Sequence, residues 1–268
     1  MVRGALVALT AAALLAGCGG GATAAPPTTP KLLRQFQIIF PEGFTRAQMA
    51  DRVTAVAQIA ENKGHRRVKL SEQAYLAASR PQVIPGFGPN KLQTEGFLFP
   101  NTYNFDRKST SADLVNAQLH EFQTQWRTVD MSYAESKNLT PYDVLTLASI
   151  IQGEVAIPSE NKLAAAVFYN RLHLGMTLGS DAVLAYGLHK TGEDLTLSDL
   201  DSDNPYNVLK FQGLPPTPIN NPGIAAIQAA AHPANVDYLF FLRKPHSKRT
   251  YFTASYQDFL DHKAQYGY

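Results

Sequence analysis

Residues 140–154 carry the sequence TPYDVLTLASIIQGE, on which the predicted organisation of the chain depends. Its first four letters combine a threonine that caps a helix, a proline tolerated in the first turn and an acid that favours the helix N-terminus. From Val144 to Ile151 the predicted helix is apolar on most sides, a pattern typical of a helix buried in a core. The stretch therefore predicts a central helix with Glu154 at its end.

Glu154 is the first candidate for chemistry. A carboxyl group that follows a buried helix loses solvation, which raises its pKa toward the range that a general acid needs near neutral pH. The alternative is a surface glutamate just past the helix end, and the residues of this stretch leave both interpretations open.

The next segment supplies further polar candidates. A second helix is predicted after Pro158, and the apolar spacing places Asn170 on its packed face. There Asn170 would orient Glu154 or a sugar amide, or would only cap the helix end. Ser180 and Asp181 form a polar turn before another apolar run, and Asp181 is the obvious second carboxylate.

The N-terminal half predicts a small α/β unit. Alternating apolar residues in 34–40 indicate a strand, and Thr45 and Ser71 each begin a helix. Residues 81–90 (PQVIPGFGPN) have the composition of a linker, and a further capped helix is predicted over 110–126.

The first residues predict export. Residues 1–17 form a signal with a positive start and an apolar run of 11 residues, shorter than the roughly 20 needed to span a membrane. The run ends in LAGC, which resembles the bacterial lipobox and predicts diacylation of Cys18, the one cysteine of the chain. An ordinary secretory signal is the alternative. Residues 18–33 then predict a flexible tether.

Composition excludes several classes of function. The 24 basic and 22 acidic residues give a net charge of +2, which argues against a nucleic-acid partner. A single cysteine allows no internal disulfide or thiolate zinc site, and the seven histidines show no metal-ligand spacing. No nucleotide-binding glycine motif is present. The sequence therefore predicts neither a metal nor an organic cofactor.

Six blocks together resemble the endolytic murein transglycosylases of the YceG-like family. They are EGFLFPNTY (95–103), ASIIQGE (148–154), VFYNRL (167–172), GMxLxSD (175–181), PYN (205–207) and GLPP through NPG (213–223). The resemblance implies an α+β fold, with a small LysM-like α/β lobe at 34–90 and a larger mixed α+β catalytic domain at 91–268. The opening FPEGFTRAQMADRV of the lobe carries the LysM-like part of the likeness, and a generic lobe without a ligand is the alternative.

The resemblance also implies the activity. Such enzymes cut the β-1,4 bond between N-acetylmuramic acid and N-acetylglucosamine in nascent peptidoglycan without adding water, leaving 1,6-anhydro ends and so terminating glycan elongation. The family's catalytic glutamate falls on Glu154. Other polar residues of the blocks would hold the sugar or orient the acid, and they are Asn170, Ser180, Asp181, Tyr206 and Asn207. No cofactor is implied.

The implied setting is the outer face of the cytoplasmic membrane, with a lipid anchor at Cys18. The implied partners are peptidoglycan glycan strands and peptidoglycan synthases. Two alternatives are a hydrolytic muramidase that uses Asp181 as a second carboxylate, and a catalytically silent lipoprotein that binds peptidoglycan or scaffolds wall synthesis. Gln152 departs from the family pattern, in which another glutamate is common, and loss of that charge would make Glu154 easier to ionise.

Overall fold

The computed structural model of the protein describes residues 35–64 and 67–268. The predictions for the signal, for Cys18 and for the tether lie outside these residues. The helices are α1 (Arg46–Gly64), α2 (Glu72–Ala78), α3 (Ser111–Trp126), α4 (Ser132–Ser136), α5 (Pro141–Glu154), α6 (Asn161–His173), α7 (Asp181–Gly187), α8 (Leu197–Leu200), α9 (Ile224–Ala231) and α10 (Tyr256–Tyr266). The strands are β1 (Phe36–Ile39), β2 (Gln82–Val83), β3 (Lys91–Leu92), β4 (Thr102–Phe105), β5 (Phe240–Arg243) and β6 (Thr250–Thr253).

Helix α5 is the buried centre of the larger hydrophobic cluster. Every residue from Val144 to Ile151 is buried, and the helix packs against α6, α7 and α9. At its start, the Thr140 backbone N–H donates to the Asp143 carboxylate at 2.8 Å, and the Asp143 N–H donates to the Thr140 hydroxyl at 3.2 Å. Such a capping box stabilises a helix by about 1 kcal/mol. The predicted buried helix and its cap are confirmed.

The N-terminal part has a second hydrophobic cluster. Strand β1 pairs antiparallel with β4, so that Phe36 lies opposite Phe105, and their rings stack at 5.7 Å. Residues well beyond the predicted lobe boundary, including Leu98, Phe105 and Leu114, belong to this cluster. The division at residues 34–90 and the LysM-like character remain predictions, while the core of this part is completed by later residues.

The segment predicted as a linker, 81–90, forms β2 and the turn that leads to β3, with which β2 pairs antiparallel. Phe87 lies in this turn and contacts Phe97 and Trp126, with ring centroids 4.9 and 4.8 Å apart. The aromatic contacts fix the hairpin against the larger cluster.

The C-terminal part is the β5–β6 hairpin followed by α10. The ring of Phe240 lies 5.4 Å from that of Tyr256 and 5.3 Å from that of Phe259, which holds α10 against β5. Together with the β1–β4 and β2–β3 pairs, this hairpin gives a helix-rich molecule with two-stranded sheets. The predicted α+β class is confirmed. In the described ranges, no helix has the length and apolar character to cross a membrane.

Candidate active site

A pocket of about 490 Å³ opens at the C-terminal end of α5. Glu154, the last residue of that helix, is half-buried in its wall. Asp181, at the start of α7, lines the same pocket. Strand β5 and helix α10 also line it, with Phe241, Arg243 and Lys263. The structure therefore brings the two candidate carboxylates to one cavity.

Ser180 is hydrogen-bonded directly to Glu154, the candidate acid. Its hydroxyl donates to Oε1 of Glu154 at 2.5 Å, and the serine itself is only 1% exposed. Ser180 occupies the N-cap position of α7, where a serine normally accepts a hydrogen bond from the helix backbone, yet its side chain makes no such bond. The hydroxyl instead orients the carboxyl group and stabilises its charged form.

Burial dominates the electrostatics of Glu154 and raises the pKa of its carboxyl group above the ordinary value. The Ser180 hydrogen bond opposes this increase, whereas the negative charge of Asp181 adds to it. The positive charges of Arg171 and Arg243 both lower the pKa. Desolvation outweighs the combined lowering effects, so the net shift is toward the protonated form, which is the form that a general acid requires.

Arg171 is a site residue that the sequence reasoning did not single out. On α6, its Nε donates to the Leu239 carbonyl at 2.8 Å and its Nη1 to the Leu178 carbonyl at 2.5 Å. Gly179 has φ +68°, and a Cβ there would lie 2.7 Å from Nη1 of Arg171. The glycine therefore lets the guanidinium approach the turn that precedes Ser180. The Asn-Arg pair in the VFYNRL block was the available signal.

Asn170 and Asn207 bind the backbone in the structure. The Asn170 amide donates to the carbonyls of Val236 and Tyr238, at 3.0 and 2.9 Å. The Asn207 amide donates to the carbonyls of Leu200 and Ser202, at 3.0 and 2.8 Å, and its buried Oδ1 has no partner among the described residues. Neither asparagine is hydrogen-bonded to Glu154. Each holds backbone of another segment in place, and their predicted contact with a sugar remains a prediction.

Tyr206 belongs to a second cavity, of about 640 Å³, which α1 and α7 help to line. Its hydroxyl lies 2.8 Å from Oγ1 of Thr217, and its ring meets that of Tyr186 edge-on at 5.6 Å. The Tyr186 hydroxyl donates to the buried carboxylate of Glu95 at 3.2 Å. Of the predicted sugar-binding residues, Asp181 and Tyr206 thus line different cavities, at opposite ends of the short helix α7, and Asn170 lines a third.

The loop 219–223 connects the N-terminal part to helix α5. Asn221 accepts hydrogen bonds on Oδ1 from Gly96 N and Leu98 N, both at 2.9 Å. Its amide nitrogen donates to the Phe44 carbonyl at 2.9 Å and to Glu95 at 2.7 Å. Burial raises the pKa of Glu95 to about 7, although this asparagine and other donors oppose the increase. Sequence patterns could not indicate this hydrogen-bonding hub, formed by Asn221 and its four partners, because the partners lie more than 100 positions from residue 221 along the chain.

Gln152 also contacts this loop. Its Oε1 accepts a hydrogen bond from the backbone N–H of Gly223 at 3.0 Å. A glutamate at this position could accept the same hydrogen bond. The neutral side chain of Gln152 therefore preserves the contact that positions the start of α9. The expected influence of the missing charge on Glu154 remains a prediction.

Metal ligands do not converge in the described ranges, where no group of three His, Cys, Asp or Glu side chains could hold an ion.

The chain matches the profile of the YceG-like family over residues 23–265. It is 30% identical over 244 residues to the endolytic murein transglycosylase of Streptococcus pneumoniae R6, covering 82% of this chain and 43% of that protein. It is 33% identical over 219 residues to the endolytic murein transglycosylase of Bacillus subtilis 168, covering 78% and 59%.

A solved structure is similar as well. The crystal structure of a yceG-like protein from Listeria monocytogenes superposes with a TM-score of 0.68 at 28% identity, covering 85% of this chain and 76% of that one. The chain spans about half the length of the curated relatives that it matches, between 43% and 59%.

Proposed function

Since the chain belongs to the YceG-like family, we propose that it is an endolytic lytic transglycosylase that cleaves peptidoglycan glycan strands. The substrate is the β-1,4 bond between N-acetylmuramic acid and N-acetylglucosamine, and the products carry 1,6-anhydro ends. In the cell, such cuts in nascent strands terminate glycan elongation. The observation that carries the proposal is the carboxyl group of Glu154, held by Ser180 in a pocket that raises its pKa.

One carboxyl group performs both proton transfers. Protonated Glu154 donates its proton to the glycosidic oxygen as the bond to C1 of the muramoyl residue breaks. The C6 hydroxyl of the same sugar then bonds to C1, and the new carboxylate accepts the hydroxyl proton. Water is neither consumed nor released, and Glu154 ends in its starting form. The hydroxyl of Ser180 stabilises the carboxylate between the two steps.

Product masses test the proposal. The purified protein is incubated with uncrosslinked glycan strands, and the fragments are analysed by mass spectrometry. We expect new ends that are one water lighter than reducing ends. Reducing ends would instead support the muramidase alternative, with Asp181 activating a water molecule. Intact strands would support the silent scaffold.

Two substitutions beside Glu154 should move the pH profile in opposite directions. Since the acid must be protonated, kcat/KM should fall as pH rises through the pKa of Glu154. Asp181→Asn removes a charge that raises this pKa, so the alkaline limb should move to lower pH. Arg243→Gln removes a charge that lowers it, so the limb should move to higher pH.

Salt provides the control for this pair. Asp181 and Arg243 are both exposed, so their effects are screened, and both shifts should shrink between low and high ionic strength. The test is the limb position for both variants and the parent at two salt concentrations. Shifts in the same direction would contradict the assignment of the limb to Glu154.

We further propose that Cys18 carries lipid and holds the protein at the outer face of the cytoplasmic membrane, near peptidoglycan synthases. The LAGC sequence and the cysteine that follows the apolar run support this proposal. Cys18→Ala should move the protein from the membrane fraction to the soluble fraction of lysed cells. Cys18→Ser is a second, closer variant, and membrane retention of both would contradict lipidation.

A further inference from the structure

The pocket around Glu154 contains more positive than negative charge. Arg171, Arg243 and Lys263 line it together with Asp181 and Glu154. When Glu154 is protonated, the three cations face a single anion.

The three cations differ in what they bind. Arg171 donates to two backbone carbonyls, which fix its position and satisfy part of its guanidinium. The side chains of Arg243 and Lys263 make neither a hydrogen bond nor an ion pair with any part of the chain that the structure describes. Both are exposed at the pocket rim, on β5 and on α10. Their charged ends are therefore available to a ligand.

The position of Arg243 opposes the proposed chemistry. Its charge lowers the pKa of Glu154 and so favours loss of the proton that the reaction needs. A ligand anion on Arg243 would cancel this effect in the enzyme–substrate complex. Peptidoglycan supplies one chemical group of this kind, the carboxylate. It occurs on the stem peptide, and on the lactyl group of a muramoyl residue whose peptide has been removed.

We propose that Arg243 and Lys263 form an anion subsite that binds a carboxylate of the glycan substrate beside the cleaved bond. The proposal rests on the proposed function and adds the part of the substrate that the pocket recognises. Phe259 lies one turn of α10 before Lys263 and lines the same pocket. Its ring provides an apolar surface against which a sugar or peptide chain can lie. Binding of the carboxylate removes the positive field on Glu154, so the acid is protonated more fully in the complex than in the free protein.

Equilibrium binding tests the subsite independently of cleavage. Fluorescently labelled strands are titrated into the full chain carrying Glu154→Gln, so that no substrate is consumed. Four probes are used: peptide-bearing strands, peptide-free strands, and each of these with its carboxylates converted to methylamides. Adding Arg243→Gln and Lys263→Gln together should weaken binding of a carboxylate probe about tenfold, and each change alone about threefold. Binding of the methylamide probes should not change.

Lys248→Gln is the matched control, because Lys248 is an exposed lysine of the β5–β6 hairpin that does not line the pocket. It should leave the dissociation constants of all four probes unchanged. A larger loss on peptide-bearing strands identifies the stem peptide as the source of the carboxylate, and a larger loss on peptide-free strands identifies the lactyl group.

Two outcomes would overturn the subsite. One is an unchanged dissociation constant for both carboxylate probes in the double variant, and the other is an equal loss on their methylamide forms. A failure of the proposed function is distinguishable, because the parent protein would then leave strands intact whatever the binding result.

Discussion

Glu154→Gln should reduce kcat for glycan cleavage by about a thousandfold, within the 10²- to 10⁴-fold range usual for a general acid. Glutamine has the shape of glutamate and can still accept the Ser180 hydrogen bond, so the pocket is preserved. It cannot deliver a proton to the leaving oxygen or take one from the C6 hydroxyl. The measurement is the initial rate of anhydro-end formation at saturating strand concentration.

Asp181→Asn discriminates between mechanisms in the same assay. A lytic transglycosylase needs one carboxyl group, so this change should lower kcat by less than about tenfold at a pH where Glu154 is protonated. A muramidase needs two, so the change would then be as damaging as Glu154→Gln. If Glu154→Gln cleaves at more than about a tenth of the parental rate, its assignment as the acid is wrong.

Asn221→Ala should lower the free energy of unfolding by about 3 kcal/mol, because it removes four hydrogen bonds and leaves two buried N–H groups without a partner. The two groups are the N–H of Gly96 and of Leu98, whereas the Phe44 carbonyl keeps the backbone N–H of residue 221 and Glu95 keeps its bonds from Arg46 and Tyr186. The side chain of Asn221 is completely buried, so water cannot replace it. Urea unfolding followed by circular dichroism measures the loss.

The neighbouring asparagine is a matched control. Asn220 is also buried, but its amide makes one hydrogen bond, to the Ser149 carbonyl at 2.8 Å. Asn220→Ala should therefore cost only about 1 kcal/mol. Asn221→Asp is a stricter test, since it keeps the two acceptor bonds but places a second carboxylate against Glu95. Equal losses of the free energy of unfolding in the two alanine variants would show that the hydrogen bonds of Asn221 stabilise the protein no more than the single bond of Asn220.

Local signals in the sequence predicted the local structure. The capping boxes at Thr45 and Thr140 involve residues three apart, and the apolar run before Glu154 determines which helix is buried. The position of Glu154 at the end of a buried helix follows from these signals alone. A helix start and the end of an apolar run depend on a few neighbouring residues, which any reader of the sequence can inspect.

Features that depend on distant residues could not be predicted from such signals. Ser180 reaches Glu154 across 26 positions, and Asn221 reaches Glu95 across 126. Spacing left the roles of Asn170 undecided because an asparagine on a packed face satisfies its amide wherever a carbonyl is presented, here at Val236 and Tyr238. Two of the three cations that line the pocket come from β5 and α10, which reach the end of α5 only through tertiary packing.

The pairing of β1 with β4 affects the order in which the protein acquires its structure during synthesis. Phe36 leaves the ribosome long before its partner Phe105, and the α1–α2 segment lies between them. Closing so long a loop is slow, whereas α1 and α2 can form and dock locally. Until β4 follows, β1 exposes an unpaired edge and apolar side chains, both of which favour aggregation. The N-terminal part is therefore open to aggregation until residues 102–105 are available to pair with β1.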